Sequence, residues 1–249
     1  MFLTETASVF YDALLTLAYP QACRICGRSV EKRTYGPACV DCWHATRIFA
    51  GNEAMCWRCG ALARPAIRAF DREEIRCQRC ESQAFASARA CGVYEGALRE
   101  SVLRLKRQPN VPKHLVNLLI AVAKRPPLRV ATRIVPVPLH PDREARRGFN
   151  QALVIAKAIG PGLGLVVDET SLVRVSGSHQ YRAGLDAKGR LDTVTDAFAV
   201  RFPQLIKGEI PLLVDDVFTT GATASSCADA LVAAGATEVH VLTLARPAR

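Results

Sequence analysis

No stretch of this sequence has the roughly twenty consecutive apolar residues that a membrane-spanning helix requires. Aromatic residues make up only 6% of the 249 and are not interleaved with the basic ones, so a base-stacking platform has little to be built from. Low-complexity tracts are absent. The opening residues, MFLTETASVFYDALLTLAYP, have no basic n-region and carry Glu5 and Asp12, which makes them a poor secretory signal. They read instead as an amphipathic helix within 1–21, with Phe2, Val9, Phe10, Ala13, Leu14 and Leu17 on one side. These absences predict a cytoplasmic protein with no membrane span.

Cysteine, by contrast, is plentiful. Eight of the ten cysteines fall in C-x-x-C pairs: Cys23 and Cys26, then twelve residues, Cys39 and Cys42; Cys56 and Cys59, then seventeen residues, Cys77 and Cys80. A C-x-x-C pair forms a turn whose amides face the sulfurs, and two such knuckles complete a tetrahedral S₄ shell. Gly27 and Gly60, each directly after the second cysteine of a pair, suit that turn. The pattern predicts two structural zinc ions, an iron–sulfur cluster being the competing assignment. Sequential pairing gives two ribbons; a cross-braced pairing of first with third and second with fourth pairs is the alternative. An S₄ shell has no open position, so these metals are structural and replace a core that sixty residues could not supply. Cys91 and Cys227 stand alone and read as small buried residues. Eight thiolates (−8) and two Zn²⁺ (+4) would bring the formal charge of +10 to about +6, still suited to a polyanionic ligand.

The chain changes character near residue 85, which predicts an N-terminal helix over 1–21, a double ribbon over 22–85 and a larger domain over 86–249. From residue 88 short apolar runs alternate with helical patterns, the mark of βα units and an α/β fold with a mostly parallel sheet flanked by helices. Strands are expected over 88–96, 132–139, 163–169, 210–216 and 238–246. Helices are expected over 97–108, 114–125, 148–160 (closed by Gly160) and 221–235, and a long polar loop over 170–195. The segment after the second strand reads as a proline-rich loop.

The most informative stretch is LLVDDVFTTGATA, Leu212–Ala224. An apolar strand runs into Asp215 and Asp216, then into Thr219, Thr220, Gly221, Ala222 and Thr223 at the start of a helix with no acid in its first turn. Free backbone amides, hydroxyls and the positive end of the helix dipole form a phosphate site there. Gly221 is expected to let the backbone approach the anion. The lysine of a Walker A loop is missing. The carboxylates suit vicinal sugar hydroxyls or hydrated Mg²⁺, so a phosphate beside a diol points to a ribose 5-phosphate.

This stretch resembles the phosphoribosyl pyrophosphate (PRPP) signature of type I phosphoribosyltransferases. IVPVPLHPDREARRGFNQA (134–152), LRESVLRLKR (98–107), GRLDTVTDAF (189–198) and the cysteine pairs are similar to the ComF/GntX branch, over nearly the whole chain. Two departures stand out: Asp192 replaces an asparagine, and Lys106 is not followed by an aromatic. The resemblance implies a type I phosphoribosyltransferase fold with a small N-terminal zinc-ribbon domain, and Mg²⁺ bound with PRPP. It implies Asp215 and Asp216 on the ribose hydroxyls and Thr219 to Thr223 around the 5′-phosphate. Val137 and Pro138 would begin the pyrophosphate loop, with backbone amides there meeting the diphosphate and with charge from Arg146 and Arg147. His179, Gln180, Arg182 and Arg190 would form a flexible flap. No protein nucleophile is needed for such a transfer, and His140 and His179 are the nearest candidates for a base. The family's association with DNA uptake implies a second possibility, a PRPP-regulated accessory protein that binds single-stranded DNA and the DNA-import machinery. Arg99, Arg104, Lys106, Arg107 and Lys113, and the Arg146, Arg147, Asn150 and Gln151 group, are the basic features available to it. A glutaminase half would need an activated cysteine, and the metal pairs use all but two.

Overall fold

A computed structural model describes residues 20–63, 75–175 and 197–248. The flap residues His179, Gln180, Arg182 and Arg190 lie outside those ranges, as does the N-terminal helix up to residue 19. In chain order the described strands are β1 (Ser87–Val93), β2 (Arg133–Pro136), β3 (Val166–Val167), β4 (Leu172–Arg174), β5 (Phe198–Val200), β6 (Pro211–Val217) and β7 (His240–Arg246). The helices are α1 (Val40–His44), α2 (Gly96–Leu105), α3 (Lys113–Ala123), α4 (Pro141–Arg147), α5 (Gln151–Leu163) and α6 (Ala222–Ala233).

Five strands form one parallel sheet in the order β1-β7-β6-β2-β3, with Leu212 beside His240 and Ile134 beside Leu212. A strand covered on both faces must be apolar along its length rather than alternating. Leu212, Leu213 and Val214 of β6 and Val241, Leu242 and Leu244 of β7 are accordingly fully buried. Successive residues then serve opposite layers. Leu212, Val214 and Leu242 join Leu98 and Val102 of α2, Leu115 and Leu119 of α3 and Ile155 and Ile159 of α5. Leu213 and Val241 join Ala224, Cys227, Ala228 and Leu231 of α6. Cys91 and Cys227 are both completely buried, as expected of small core residues. β4 and β5 pair antiparallel as a separate ribbon, so the expected loop over 170–195 begins with a strand.

Two expectations need correction. The helix expected to close at Gly160 runs on through Pro161 and closes at Gly164, which has φ 68. Gly160 serves packing instead: a Cβ there would meet Val167 Cγ2 at 3.0 Å, so the glycine lets α5 lie close to β3. The proline-rich loop after β2 contains α4, because Pro141 occupies the first turn, His140 Nδ1 accepts from the Asp142 amide at 3.3 Å, and Gly148 at φ 78 ends it.

The cysteine-rich region shares its core with the sheet domain. Cys23, Val30, Cys39 and Trp43 are buried in the α2–α3–α5 layer, and Cys56, Cys59, Cys80 and Phe85 in the α6 layer. The linker between the two knuckles also covers the outer edge of β1: Phe49 N–H donates to Cys91 O (2.8 Å) and Val93 N–H to Arg47 O (2.9 Å). That covering removes a free sheet edge.

Candidate functional site

The chain leaves β2 for β3 on one side and returns as β6 on the other, so the direction of strand addition reverses between β2 and β6. In open parallel sheets ligands bind outside the carboxyl ends of the strands at that reversal. Here those ends are Val137-Pro138 and the stretch from Asp215 to Thr223. The sheet therefore brings together the two motifs that sequence separated by about eighty residues.

Asp215 and Asp216 are the half-buried last acids of β6, and the Asp216 amide donates to Asp215 Oδ1 at 2.8 Å. Burial, and next the Asp216 carboxylate, push the Asp215 carboxyl up to about 7. Lys106, at the C-terminal end of α2, opposes that rise: its Nζ lies 3.7 Å from Asp216 Oδ2. Sequence reasoning placed Lys106 only on a basic helix face. Its place beside Asp216 depends on a pairing over 110 residues, which no local pattern announces.

The turn after β6 is pinned at its start, where Phe218 N–H donates to Ala245 O at 2.9 Å. Thr219 and Thr220 are exposed, and Gly221 caps α6 in the left-handed region, φ 85. The first turn of α6 has neither an acidic residue nor a side-chain cap from Gly221, so among the described residues its orphan amides are served only by Thr220 Oγ1, which accepts from Ala222 N at 3.4 Å. Such a helix end suits an anion. Gly221 is required for a reason the sequence did not reveal. A Cβ there would stand 2.8 Å from Phe218 Cζ and 3.1 Å from Gln83 Oε1, so its bare Cα makes room for these side chains.

At the end of β2, Val137 N–H is already spent on Val214 O at 2.9 Å, and Pro138 has no N–H to give. The amides next in line in the loop that this pair begins, of Leu139 and His140, have no acceptor among the described residues. Asn150 fastens this loop by donating from Nδ2 to Val137 O at 2.9 Å while its Oδ1 caps α5. Arg147 Nη1 donates to Gln151 Oε1 at 2.7 Å, and Arg146 Nε to Asp142 O at 3.2 Å, which leaves Arg146 the more exposed cation of the two. His140 acts as a helix cap.

The eight paired cysteines gather sequentially into two clusters, Cys23/Cys26/Cys39/Cys42 and Cys56/Cys59/Cys77/Cys80, whose sulfurs all lie within 4.8 Å of one another. That excludes the cross-braced alternative. A tetrahedral zinc with sulfurs at about 2.3 Å sets them about 3.8 Å apart. Cys26 and Cys39 sulfurs are separated by 3.7 Å, Cys56 and Cys80 by 3.5 Å, and Cys59 and Cys77 by 3.5 Å, so both sites fit that ion. Gly27 and Gly60 take φ 77 and 67 at the knuckle turns. A half-buried and a buried arginine lie along the second cluster: Arg89 donates to Trp57 O and Arg246 to Cys59 O, placing positive charge beside a thiolate shell.

No protein-family model matches the chain. It is 30% identical over 238 residues to the DNA utilization protein YhgH of Salmonella typhimurium, a match covering 92% of this chain and 99% of that one. It is 35% identical over 137 residues to competence protein F of Haemophilus influenzae, covering 53% of this chain and 58% of that one. Among solved structures, a glutamine PRPP amidotransferase from B. subtilis complexed with ADP and GMP superposes with a TM-score of 0.38 at 20% identity, over 57% of this chain and 30% of that one. A score that low carries no argument.

Proposed function

The chain belongs to the ComF/GntX family, with a type I phosphoribosyltransferase fold and two four-cysteine clusters, and from that premise we propose that it binds PRPP with Mg²⁺ at the ends of β2 and β6. The observation that carries this reading is the meeting of two carboxylates, a helix N-terminus with amides to spare and a second loop of free amides at the sheet's reversal point. Asp215 and Asp216 take the ribose 2′- and 3′-hydroxyls and favour an oxygen-liganded cation beside them. Thr219, Thr220, Gly221, Ala222 and Thr223 surround the 5′-phosphate. The loop beginning at Val137 and Pro138, with Arg146, Arg147 and Lys106, meets the diphosphate.

The arrangement supports transfer of the phosphoribosyl group. An acceptor forms a bond to C1 of the ribose as the C1–oxygen bond to diphosphate breaks, and the ring carries positive charge in between. The chain needs no nucleophile for this; it positions the donor and spreads the leaving charge over amides and cations. Isothermal titration with Mg²⁺–PRPP tests binding, and loss of the signal in Asp216→Asn with the fold intact is the expected result. Pyrophosphate release in a screen of bases, amines and nucleotides tests turnover.

One observation favours a second use of the chain. A groove of about 450 Å³ between the first knuckle and α2 is lined by Arg24, Arg104 and Arg107, with Glu100 the acid among its lining residues. The names of the relatives refer to DNA utilization and competence, and a basic groove suits a single strand's phosphates. Single-stranded DNA binding with a steep salt dependence, and no pyrophosphate release with any acceptor, would replace the transferase reading with that of a PRPP-regulated DNA-binding accessory protein serving DNA import.

A further inference from the structure

We propose that the second four-cysteine knuckle is the frame of the phosphate-binding turn, so that the state of the Cys56/Cys59/Cys77/Cys80 cluster sets the order of residues 218–225. The functional meaning of this proposal rests on the reading of the site given above; its physical content does not.

Three independent contacts join knuckle to turn. Gln83, three residues beyond Cys80, places Oε1 at 3.1 Å from the position a Gly221 Cβ would occupy. That oxygen is buried and accepts no hydrogen bond from the described residues, an uncommon state that persists only where the surrounding structure imposes it. The backbone of Gln83 is fixed from inside the knuckle, because its carbonyl receives Arg58 Nη1 at 3.0 Å, its amide donates to Cys80 O at 3.2 Å, and Arg58 stands between Cys56 and Cys59. Ala84 N–H then donates to Ser225 Oγ at 3.0 Å, tying the same segment to the first turn of α6. Finally, Phe218 is packed edge-on against Phe85 at 5.7 Å and faces the Arg246 guanidinium at 5.5 Å, and Arg246 reaches back to Cys59 O. The turn is thus held on one side by β7 and on the other by residues whose positions follow from the cluster.

The first knuckle supplies an internal control. It packs against a different layer, with Trp43 and Tyr35 edge-on to His114 of α3 and Thr46 Oγ1 accepting from Ala97 N of α2. Both clusters contribute burial, but the contacts just described to residues 218–225 come from the second.

Amide hydrogen exchange on the full zinc-loaded chain tests the proposal. Cys80→Ser should speed exchange of the Phe218 and Ser225 amides about tenfold or more, since it frees an aromatic contact and a hydrogen bond together. Cys26→Ser should leave both amides unchanged, and amides of the β2–β6 ladder should stay protected in both variants. Equal acceleration by the two cysteine variants, or none by Cys80→Ser, overturns the proposal. Should Cys80→Ser lose the ladder's protection as well, the double variant Gln83→Ala/Ser225→Ala decides: faster exchange confined to 218–228 supports the frame, and wild-type exchange refutes it. Titration of wild type with Mg²⁺–PRPP forms a separate arm. Its failure would remove the functional reading while leaving the exchange result to decide the coupling.

Discussion

Replacing Asp215 by asparagine should make the protein more stable and stop it binding PRPP. The folded chain holds the Asp215 proton up to about 7, while the unfolded chain releases it near the ordinary value of 3.8. Between those limits the folded state binds more protons, so its stability falls as pH rises from about 4 to about 7 and stays lowered above that. The full displacement, with the opposing effect of Lys106 already in it, corresponds to about 4 kcal/mol, and residual solvent contact at the half-buried carboxyl reduces the recoverable part to about 2 kcal/mol. Asparagine keeps an oxygen to accept from the Asp216 amide, so the local backbone has no reason to move.

At pH 8 Asp215→Asn should therefore unfold about 4–8 °C higher than wild type, and the two should converge as the pH approaches 4. Thermal denaturation followed by circular dichroism at pH 4, 6 and 8 measures this directly. Calorimetry on the same samples should show no PRPP binding by the variant, and wild-type affinity rising with pH through about 7 as the carboxylate forms. A variant no more stable than wild type at pH 8, or equally more stable at pH 4 and pH 8, would refute the account. The prediction joins the two roles of one group: the charge that opposes folding is the charge the ligand needs.

Three further outcomes follow from the same geometry. Lys106→Met should leave the unfolding free energy within about 1 kcal/mol of wild type, because its ion pair with Asp216 is partly exposed. It should nevertheless weaken PRPP binding about tenfold and move the pH dependence of binding upward, since Lys106 holds the Asp215 carboxyl down. Gly221→Ala combines a left-handed φ of 85 with a methyl 2.8 Å from Phe218, and should cost about 2–3 kcal/mol in urea denaturation while abolishing PRPP binding. Elemental analysis should find two zinc ions per chain, falling to one in Cys26→Ser or Cys80→Ser; iron with acid-labile sulfide would contradict the zinc assignment.

What could be read in the sequence was whatever a local pattern dictates. LLVDD had to be a buried strand because apolar residues ran unbroken into acids, and the threonine turn had to begin a helix because α6 carries its apolar positions at helical spacing. The C-x-x-C pairs announced metal on spacing alone. What stayed hidden depended on distant segments meeting. Whether the first C-x-x-C pair closes on the second or the third is a question of chain path, answered only when Cys23/Cys26 and Cys39/Cys42 converge. Gly160 looked like a helix stop because glycine usually is one, yet its lack of a Cβ serves an interlayer contact with β3. Gly221 looked like a glycine kept bare for a ligand, and its lack of a Cβ also makes room for Phe218 and Gln83. In both cases the residue type was informative and the partner was not, since a glycine marks close approach without saying of what. The same limit applies to Lys106, whose charge was visible in a run of basic residues but whose pairing with Asp216 exists only after the end of α2 has come beside the end of β6. The ligand-facing half of this site is therefore local and legible, while the half that holds it in place is assembled from the cysteine region, α2 and β7, and becomes visible only in the fold.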